Sequence, residues 1–485
     1  MPNVSNIVKT IQDIMRKDAG TYGDAQRLEQ LGWMFFLKIF DDREKELELL
    51  RDAYRSPIPA HLRWSAWATD DEGITGDALL DFVNNTLLPR LKALTGATGD
   101  KLIILIRSTF EDANNYMKNG TLMRQVINKI NGIDFNASDD RHMFGDIYEK
   151  LLKDLQSAGN AGEFYTPRAV TQFIVEQVNP RLDKREIILD PACGTGGFLT
   201  CAIEHLRKQA KSEADELFIQ DCFSGVEKKH LPHVLCMTNL LLHGIDVPSN
   251  VRHDNTLSRP LRDWSPKERV DVIVTNPPFG GMEEDGIEAN FPSEFRTRET
   301  ADLFLVLIMK ILKPGGRAGL VLPDGTLFGE GVKTRIKEEL LRECNLHTIV
   351  RLPNGVFNPY TGIRTNLLFF TKGQPTTEVW YYEHPYPKGA KSYNKGKPIR
   401  IEEFEPERAW WDNRVENEQA WRVSIDQIRA GNFNLDLKNP HINDTGPGDV
   451  DHLLPEYERL LAQITETRAA LKTELHRALT AGADA

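Results

Sequence analysis

Short apolar runs separated by helical stretches fill the chain after about residue 160, and they constrain its fold more than any other feature. Runs this short are typical of buried strands, and amphipathic segments lie between several of them. The alternation predicts an α/β domain with a largely parallel sheet. The predicted strands are Ile187–Leu189, Phe223–Val226, Val270–Thr275, Ala318–Leu322, Thr348–Leu352 and Leu367–Phe370.

The N-terminal third of the chain has a helical pattern. Ile7 and Ile11 recur at helix spacing, and a long apolar stretch runs over Leu28–Leu50. The aromatic residues of this stretch cluster too densely for one narrow stripe, so we predict that they pack between helices. A proline-bearing loop around Pro57–Gly76 interrupts the pattern. The sequence therefore predicts a helical N-terminal domain over residues 1–155.

Two further segments follow the sheet region. Residues 373–448, rich in Pro, Gly, Asn and Trp, are predicted to form an irregular α/β extension with a weak strand signal at Glu378–Tyr382. Residues 449–485 carry an apolar seam at heptad spacing, with Pro455 near the predicted helix start. Such a helix packs either on its own domain or against a partner helix, and both interpretations stay open. The seam consists of Val450, Leu454, Tyr457, Leu461, Ile464, Arg468, Leu471 and Leu475.

Charge and cysteine content exclude several classes of protein. With 60 Lys and Arg against 71 Asp and Glu, the net charge of −11 argues against a uniformly basic surface that coats nucleic acid. The five cysteines form no Cys-x-x-Cys pair, so neither a zinc cage nor a disulfide framework is indicated. Reduced thiols in a cytoplasmic protein are expected. No apolar run approaches the roughly 20 residues that a membrane span requires, so no membrane association is predicted.

A glycine-rich turn follows the first predicted strand and precedes a helical segment, Leu199–Leu206. Glycines at this position let the backbone approach a nucleotide-like ligand closely. The acidic residue at the strand end, Asp190, would repel a pyrophosphate and suits a cationic or hydroxyl-bearing ligand. Glu227 ends the second strand, where it can accept hydrogen bonds from both ribose hydroxyls of an adenosine. The turn itself contributes Gly194, Thr195, Gly196 and Gly197.

The sequence Asn276-Pro277-Pro278-Phe279 directly follows the run Val270–Thr275. Two prolines cannot continue a central strand, so they predict a rigid bend at the carboxyl edge of the sheet, where α/β ligand sites lie. In that bend the Asn276 side-chain oxygen and the Pro277 carbonyl can both accept hydrogen bonds from one amino group. Phe279 can stack on the ring that bears the amino group. A plain Pro-Pro loop is the alternative interpretation.

The glycine turn and the Asn-Pro-Pro-Phe sequence together resemble the S-adenosylmethionine-dependent amino-methyltransferases, in particular the adenine-N6 DNA methyltransferases. The stretch from Gly162 to Arg168 is similar to the cofactor-flanking motif of the gamma-ordered group. Within it, Thr166 is a candidate N-cap and Pro167 the first residue of a helix through Val178, whose free N–H groups could hold the methionine carboxylate.

The resemblance assigns the site residues in two sets. Asn276, Pro277, Pro278 and Phe279 are implied to be catalytic, and Asp254 is implied to contact the adenine of the cofactor. The full set implied to bind S-adenosyl-L-methionine is Glu163, Phe164, Tyr165, Thr166, Pro167, Arg168, Asp190, Gly194, Thr195, Gly196, Gly197, Glu227 and Asp254.

Over essentially the whole chain, the order of segments resembles the modification subunit of a type I restriction–modification enzyme. This implies a Rossmann-like S-adenosylmethionine-dependent methyltransferase domain over residues 156–372, an α-helical N-terminal domain, and a coiled-coil-like, partner-docking helix over residues 449–485. The implied reaction is methyl transfer to adenine N6. The implied partners are double-stranded DNA with a flipped adenine, a specificity subunit that holds two copies of this chain, and an ATP-driven restriction and translocase subunit.

Three other functions stay open at this stage. A self-contained DNA methyltransferase would have to read its target through residues 372–448, where the basic residues Lys388, Lys391, Lys395, Lys397 and Arg400 fall. A protein-glutamine or RNA amino-methyltransferase could use the same Asn-Pro-Pro geometry. A scaffold could also keep the fold without catalysis.

No metal centre and no ATP hydrolysis are predicted. His230, His233, His243 and His253 show no helix-face partner with a third ligand, and His230 and His233 are expected on a helix surface. The chain contains no Gly-x-x-x-x-Gly-Lys-Ser/Thr phosphate loop.

Overall fold

The sheet that organises the chain has nine strands. The computed structural model describes residues 4–50, 52, 54–97, 99–133, 135, 148, 165–358, 361–387, 389, 392–394, 396–441 and 450–481. Residues 1–437 form one compact unit and residues 438–485 another. The strands are β1 (Ile188–Asp190), β2 (Phe223–Glu227), β3 (Val251–His253), β4 (Val270–Thr275), β5 (Leu312–Pro323), β6 (Cys344–Arg351), β7 (Thr365–Lys372), β8 (Glu378–Glu383) and β9 (Ala420–Ser424).

Strand order divides the sheet into a parallel half and a mixed half. The order is β3-β2-β1-β4-β5-β7-β6-β8-β9. All neighbours from β3 to β5 are parallel, whereas β7 is antiparallel to both β5 and β6, and β9 is antiparallel to β8. The order reverses between β1 and β4, which is the point where open α/β sheets bind ligands. The predicted Rossmann-like α/β fold is thus confirmed, with an antiparallel β7 that the apolar pattern did not indicate.

Helices surround this sheet on both faces. In the first unit they are α1 (Val4–Met15), α2 (Asp24–Leu50), α3 (Trp64–Trp67), α4 (Gly76–Asp81), α5 (Leu88–Lys92), α6 (Lys101–Phe110), α7 (Gly120–Asn131), α8 (Arg168–Val178), α9 (Gly197–Arg207), α10 (Glu213–Asp221), α11 (His230–Leu242), α12 (Thr300–Ile311), α13 (Asp324–Phe328), α14 (Val332–Glu343), α15 (Glu405–Trp411) and α16 (Ile425–Ala430). A π-helical turn, Phe82–Leu87, joins α4 to α5.

Alternate residues of each central strand enter different cores. Val272 and Val274 of β4 pack in the core that includes α8, α9 and the N-terminal helices, whereas Ile273 packs in the core built on α12 and α14. The aromatic residues of α2 are buried in the first of these cores, as predicted: Trp33, Phe35, Phe36 and Phe40.

Two predicted irregular regions contain ordered elements. In the loop around Pro57–Gly76, helix α3 brings Trp64 and Trp67 into edge-to-face contact at 5.2 Å, and both rings are buried. In the predicted extension, β8 pairs with β6 and with β9, so both strands continue the main sheet, and Tyr381 stacks on Trp421 with ring centroids 5.2 Å apart. Aromatic side chains thus stabilise both regions, and β8 coincides with the strand signal predicted at Glu378–Tyr382.

The second unit contains the helix α17, Val450–Ala481. It begins at Val450, close to the start of the predicted segment 449–485, and Pro455 lies in its second turn. The seam residues Tyr457, Leu461 and Ile464 are 64%, 44% and 53% exposed. An amphipathic helix gains stability mainly by burying its apolar stripe. Among the described helices, none combines the length and apolar character needed to cross a membrane.

Candidate active site

A cavity of about 260 Å³ lies at the carboxyl ends of β1, β2 and β4, beside the point where the strand order reverses. Parallel strands bring the residues that follow each strand to one edge of the sheet, so motifs far apart in sequence meet here. The predicted site residues that line it are Thr166, Gly194, Thr195, Gly197, Glu227, Asp254, Asn276 and Pro278.

The glycine turn between β1 and α9 needs glycine for two reasons. Gly194 and Gly196 have φ angles of 52° and 82°, in the left-handed region that other residues rarely adopt. A Cβ atom on Gly196 would also lie 2.7 Å from the Sγ atom of Cys236. Gly196 thus sits behind the cavity wall, where it lets the turn close against α11.

Glu227 ends β2, as predicted, and connects two sides of the cavity. Its Oε2 atom accepts a hydrogen bond from the Gly194 amide at 3.0 Å, and Oε1 accepts one from the Lys229 amide at 2.7 Å. The carboxylate is 7% exposed, and burial raises its pKa. Each carboxylate oxygen has a further lone pair, so Glu227 can still accept hydrogen bonds from a ligand.

Asp190 ends β1 but does not line the cavity. Its Oδ1 atom accepts a hydrogen bond from the Ala192 amide at 3.1 Å, and the buried carboxylate also interacts with the Thr275 hydroxyl, although Oδ2 makes no close hydrogen bond among the described residues. Burial raises the pKa of Asp190 to about 7. A buried carboxylate oxygen without a donor is unfavourable unless a proton or a cationic ligand approaches it.

Asp254 and Asn255 follow β3, at the rim of the same cavity. The Asp254 amide donates to the Glu227 carbonyl at 3.0 Å, which fixes this segment beside β2, and the Asp254 side chain is exposed. The Asn255 side chain accepts from the Leu257 amide and donates to Glu283 at 3.1 Å. The Asp254 carboxylate lines the cavity, and its Oδ1 atom accepts a hydrogen bond from the Asn255 amide at 2.8 Å.

Asn276 presents a buried acceptor to the cavity. Its Nδ2 atom donates to the Thr166 hydroxyl at 2.9 Å, and its Oδ1 atom is buried with no partner among the described residues. The bond to Thr166 fixes the orientation of the amide, so the oxygen is directed to a ligand donor. Pro277 is buried and Pro278 is exposed at the cavity wall.

Phe279 meets an aromatic residue that the sequence analysis did not identify. Its ring lies 5.8 Å from the ring of Phe357, at an interplanar angle of 78°. Phe357 lies in the connection between β6 and β7 and is buried. A sequence signal exists, because β6 is parallel to the strands of the site and Phe357 follows its carboxyl end.

The stretch before α8 differs from the prediction. Helix α8 begins at Arg168 with Pro167 in the N-cap position, so Thr166 is not the N-cap, and its hydroxyl accepts from Asn276 instead. The Arg168 guanidinium donates to the Thr200 hydroxyl at 2.8 Å. Tyr165, Pro167 and Arg168 line a separate cavity of about 110 Å³, and Glu163 and Phe164 lie outside the described residues.

The sequence did not predict a buried glutamate, Glu283, on the cavity wall. Glu283 accepts hydrogen bonds from Lys228 at 3.2 Å, Asn255 at 3.1 Å and Thr300 at 3.2 Å, and all four residues line the cavity. No sequence signal identifies it, because Glu283 lies in an acidic, glycine-rich loop that is typical of a solvated surface.

One histidine prediction was wrong. His233 is fully buried rather than on a helix surface, because α11 lies between the sheet and the N-terminal helices. Burial lowers its pKa to about 3, so it is neutral, and its ring lies 5.4 Å from that of His253. Within the described ranges, no group of three or more His, Cys, Asp or Glu side chains could hold a metal ion.

Comparisons with known proteins agree with this architecture. Residues 139–445 match the family model described as N-6 DNA Methylase, and residues 4–130 match the HsdM N-terminal domain. The chain is 62% identical over 487 residues to the type I restriction enzyme EcoEI methylase subunit of Escherichia coli, covering 98% of each chain. It is 29% identical to the EcoKI methylase subunit of Escherichia coli strain K12, over 83% of this chain and 76% of that one.

Two solved structures are also similar. One is the crystal structure of a modification subunit ascribed to a type I restriction enzyme from Vibrio vulnificus YJ016, with a TM-score of 0.82 and 46% identity over 91% of this chain and 98% of that chain. The other, from a structure of the type I R-M system that addresses its assembly and conformational transition, has a TM-score of 0.82 and 38% identity over 97% of this chain and 98% of that chain. The chain therefore belongs to the N-6 DNA methylase family, among the methylase subunits of type I restriction enzymes.

Proposed function

We propose that this chain transfers the methyl group of S-adenosyl-L-methionine to the exocyclic N6 amino group of adenine in DNA, as the modification subunit of a type I restriction–modification complex. The observation that carries this proposal is the unpartnered, buried Oδ1 acceptor of Asn276 at the wall of the cavity that Glu227 and the glycine turn complete. Family membership supports the same reaction.

The residues around the cavity fit this cofactor. The Glu227 carboxylate is suited to the two ribose hydroxyls, and the Asp254 carboxylate to an amino group on the adenine. Asp190 is fully buried directly behind the lining residues Pro191 and Ala192, so its negative charge is suited to attract the methionine ammonium without direct contact. When bound, the cofactor supplies an electrophilic methyl group on a sulfonium. Gly194, Thr195 and Gly197 form the wall along which such an elongated ligand would lie.

In this proposal, two hydrogen-bond acceptors activate the target amino group by aligning it with the methyl group. Asn276 Oδ1 and the Pro277 carbonyl accept its two hydrogens, which draws the nitrogen toward tetrahedral geometry and aims its lone pair at the methyl group. Thr166 keeps the Asn276 amide in this orientation. Such alignment can contribute about 7–11 kcal/mol. The adenine must leave the duplex stack, at a cost of a few kcal/mol, and Phe279 can stack on the extruded ring.

In the proposed complex, a partner subunit provides the DNA-binding surface that this acidic chain lacks. A net charge of −11 gives little attraction for DNA phosphates, so we infer that a specificity subunit holds the DNA and reads its sequence. Two copies of this chain per specificity subunit and an associated restriction and translocase subunit complete the proposed complex. The exposed seam of α17 is the proposed docking surface.

The choice of acceptor tests the proposed function. The chain with its specificity partner is incubated with labelled S-adenosylmethionine and, in separate reactions, duplex DNA, RNA and a glutamine-bearing peptide. Label in DNA as N6-methyladenine is expected. Label in RNA guanine or in glutamine, with none in DNA, would replace the proposal by one of the other amino-methyltransferase functions.

Cofactor affinity is expected to fall by about tenfold as the pH falls from 7 to 5.5. The pKa of Asp190 is raised to about 7, so its carboxyl becomes neutral as the pH falls through this range and no longer attracts the ammonium. The dissociation constant is measured by calorimetry at both values. Asp190→Asn should bind more weakly at pH 7 and lose this dependence, whereas an unchanged slope in the variant would assign the effect to another group.

Charging the seam of α17 is expected to abolish assembly and spare cofactor binding. In the double variant Leu461→Lys/Ile464→Lys, two lysines replace apolar side chains that a partner helix would bury. The matched control, Glu466→Lys/Thr473→Lys, places two lysines on the opposite helix face. Co-elution with the specificity subunit should be lost only in the seam variant, and its survival there would show that the seam is not the docking surface.

A further inference from the structure

A second cavity, of about 710 Å³, opens at the opposite edge of the sheet. Arg269, which directly precedes β4, lines it, as does Lys372 at the end of β7. The six residues of β4 lie between Arg269 and Asn276, which places these two residues about 23 Å apart at the rise of a β-strand. We name this the amino-edge cavity, and it is separate from the cavity that Asn276 lines.

Positive charge is concentrated in the amino-edge cavity. Lys310 is paired with Glu339 at 2.9 Å. Arg296 donates to the Phe291 carbonyl at 3.3 Å and Lys372 donates to the Met309 carbonyl. Among the described residues, neither of these two nor Arg269 has a carboxylate partner within 4.0 Å, and burial is the main cause that lowers the pKa of Lys372. The lining residues include one carboxylate, Glu343, and five cations: Arg262, Arg269, Arg296, Lys310 and Lys372. On a chain with a net charge of −11, unneutralised cations in one concavity indicate an anion site.

Apolar side chains and an unpartnered donor form the remaining wall. Leu261, Phe291 and Pro292 line the cavity together with Trp264. The Trp264 indole nitrogen is buried and has no acceptor among the described residues, and the Arg259 guanidinium covers one face of the ring at 4.4 Å. A buried indole N–H normally has an acceptor, so this donor is a second, independent indication of a ligand oxygen.

We propose that the amino-edge cavity binds a nucleoside polyphosphate, with its phosphates on the arginine and lysine side chains and its base and ribose against the apolar wall. Arginine and lysine are the usual phosphate ligands, and the volume lies within the range of small-molecule sites. A concave site with an apolar wall suits such a ligand better than a duplex backbone, which follows an open, charged groove. The inference concerns binding and is independent of the proposed methyl transfer.

Binding of a fluorescent ATP analogue to the full chain, measured by anisotropy, tests this inference. We expect ATP and tripolyphosphate to displace the analogue and adenosine to displace it more weakly. Arg269→Gln and Arg296→Gln should each weaken binding by about tenfold or more, because hydrogen bonds to charged groups are among the strongest. Lys267→Gln is the matched control, since Lys267 is exposed on the same segment but does not line the cavity.

Competition with S-adenosylmethionine and duplex DNA shows whether the analogue binds in the amino-edge cavity, in the cavity that Asn276 lines or on a DNA-binding surface. If saturating S-adenosylmethionine leaves the analogue bound and both variants lose affinity at unchanged thermal stability, the inference is supported. Displacement by S-adenosylmethionine would place the analogue in the other cavity and overturn it. Preferential displacement by duplex DNA, no binding at millimolar ATP, or equal affinity of all variants would also overturn it.

Discussion

Asn276→Ala is expected to lower methyl transfer to DNA by about 10²–10³-fold or more, while cofactor affinity stays within about threefold of that of the unchanged chain. The variant removes the buried Oδ1 acceptor that is proposed to align the target amino group, whereas the ribose and the ammonium of the cofactor are assigned to two other side chains, Glu227 and Asp190. Single-turnover rates and calorimetric dissociation constants measure the two quantities separately.

A variant of Thr166, the residue that holds the Asn276 amide, serves as a control for which a smaller effect is expected. Thr166→Val keeps Asn276 but removes the hydroxyl that fixes its amide, so we expect a loss of about tenfold in rate from one hydrogen bond. Equal losses of rate and cofactor affinity in Asn276→Ala would mean that Asn276 supports the cavity as a whole, and the role proposed for it would be wrong.

Glu227→Gln is expected to weaken cofactor binding by about a hundredfold. The carboxylate is proposed to accept from both ribose hydroxyls, and it already accepts from the amides of Gly194 and Lys229. The amide retains one acceptor oxygen and loses the charge that strengthens each bond, each worth about 1.5–3 kcal/mol. Equilibrium binding of S-adenosylmethionine measures the loss, and the rate at saturating cofactor should change by less than about tenfold.

Two further variants distinguish contact with the cofactor from structural support of the glycine turn. Asp254→Asn alters an exposed carboxylate at the cavity rim, so we expect about tenfold weaker cofactor binding at unchanged thermal stability. Glu213→Gln, an exposed position on α10, should change neither quantity. Affinity within threefold of the unchanged chain in Glu227→Gln would contradict the ribose assignment.

The strands that carry the site could be predicted because they are covered on both faces. The strands β1, β2 and β4 lie inside the sheet, so their buried residues form continuous apolar runs, and Glu227 and Asn276 were predicted at strand ends. The direction of β7 could not be read from its apolar run. The described residues between β6 and β7 form no helix, and a short connection of this kind favours antiparallel strands.

The rest of the site depends on contacts that no periodic pattern encodes. Glu283 and Phe357 reach the cavity region through irregular segments, and their positions follow from the path of the loops rather than from strand or helix spacing. Thr166 was expected as a helix cap, because Thr before Pro is typical of a helix start. Asn276 competes for its hydroxyl from a strand 110 residues away in sequence, and such a tertiary contact is not a local signal.

The most direct test of the account is transfer of labelled methyl groups from S-adenosylmethionine to unmodified DNA by the purified chain, with and without its specificity partner, followed by nucleoside analysis. The account predicts N6-methyladenine only when the partner is present. Equal activity of the chain alone would contradict the modification-subunit assignment and move target reading into residues 372–448, and a methylated nucleoside other than N6-methyladenine would contradict the proposed chemistry at Asn276.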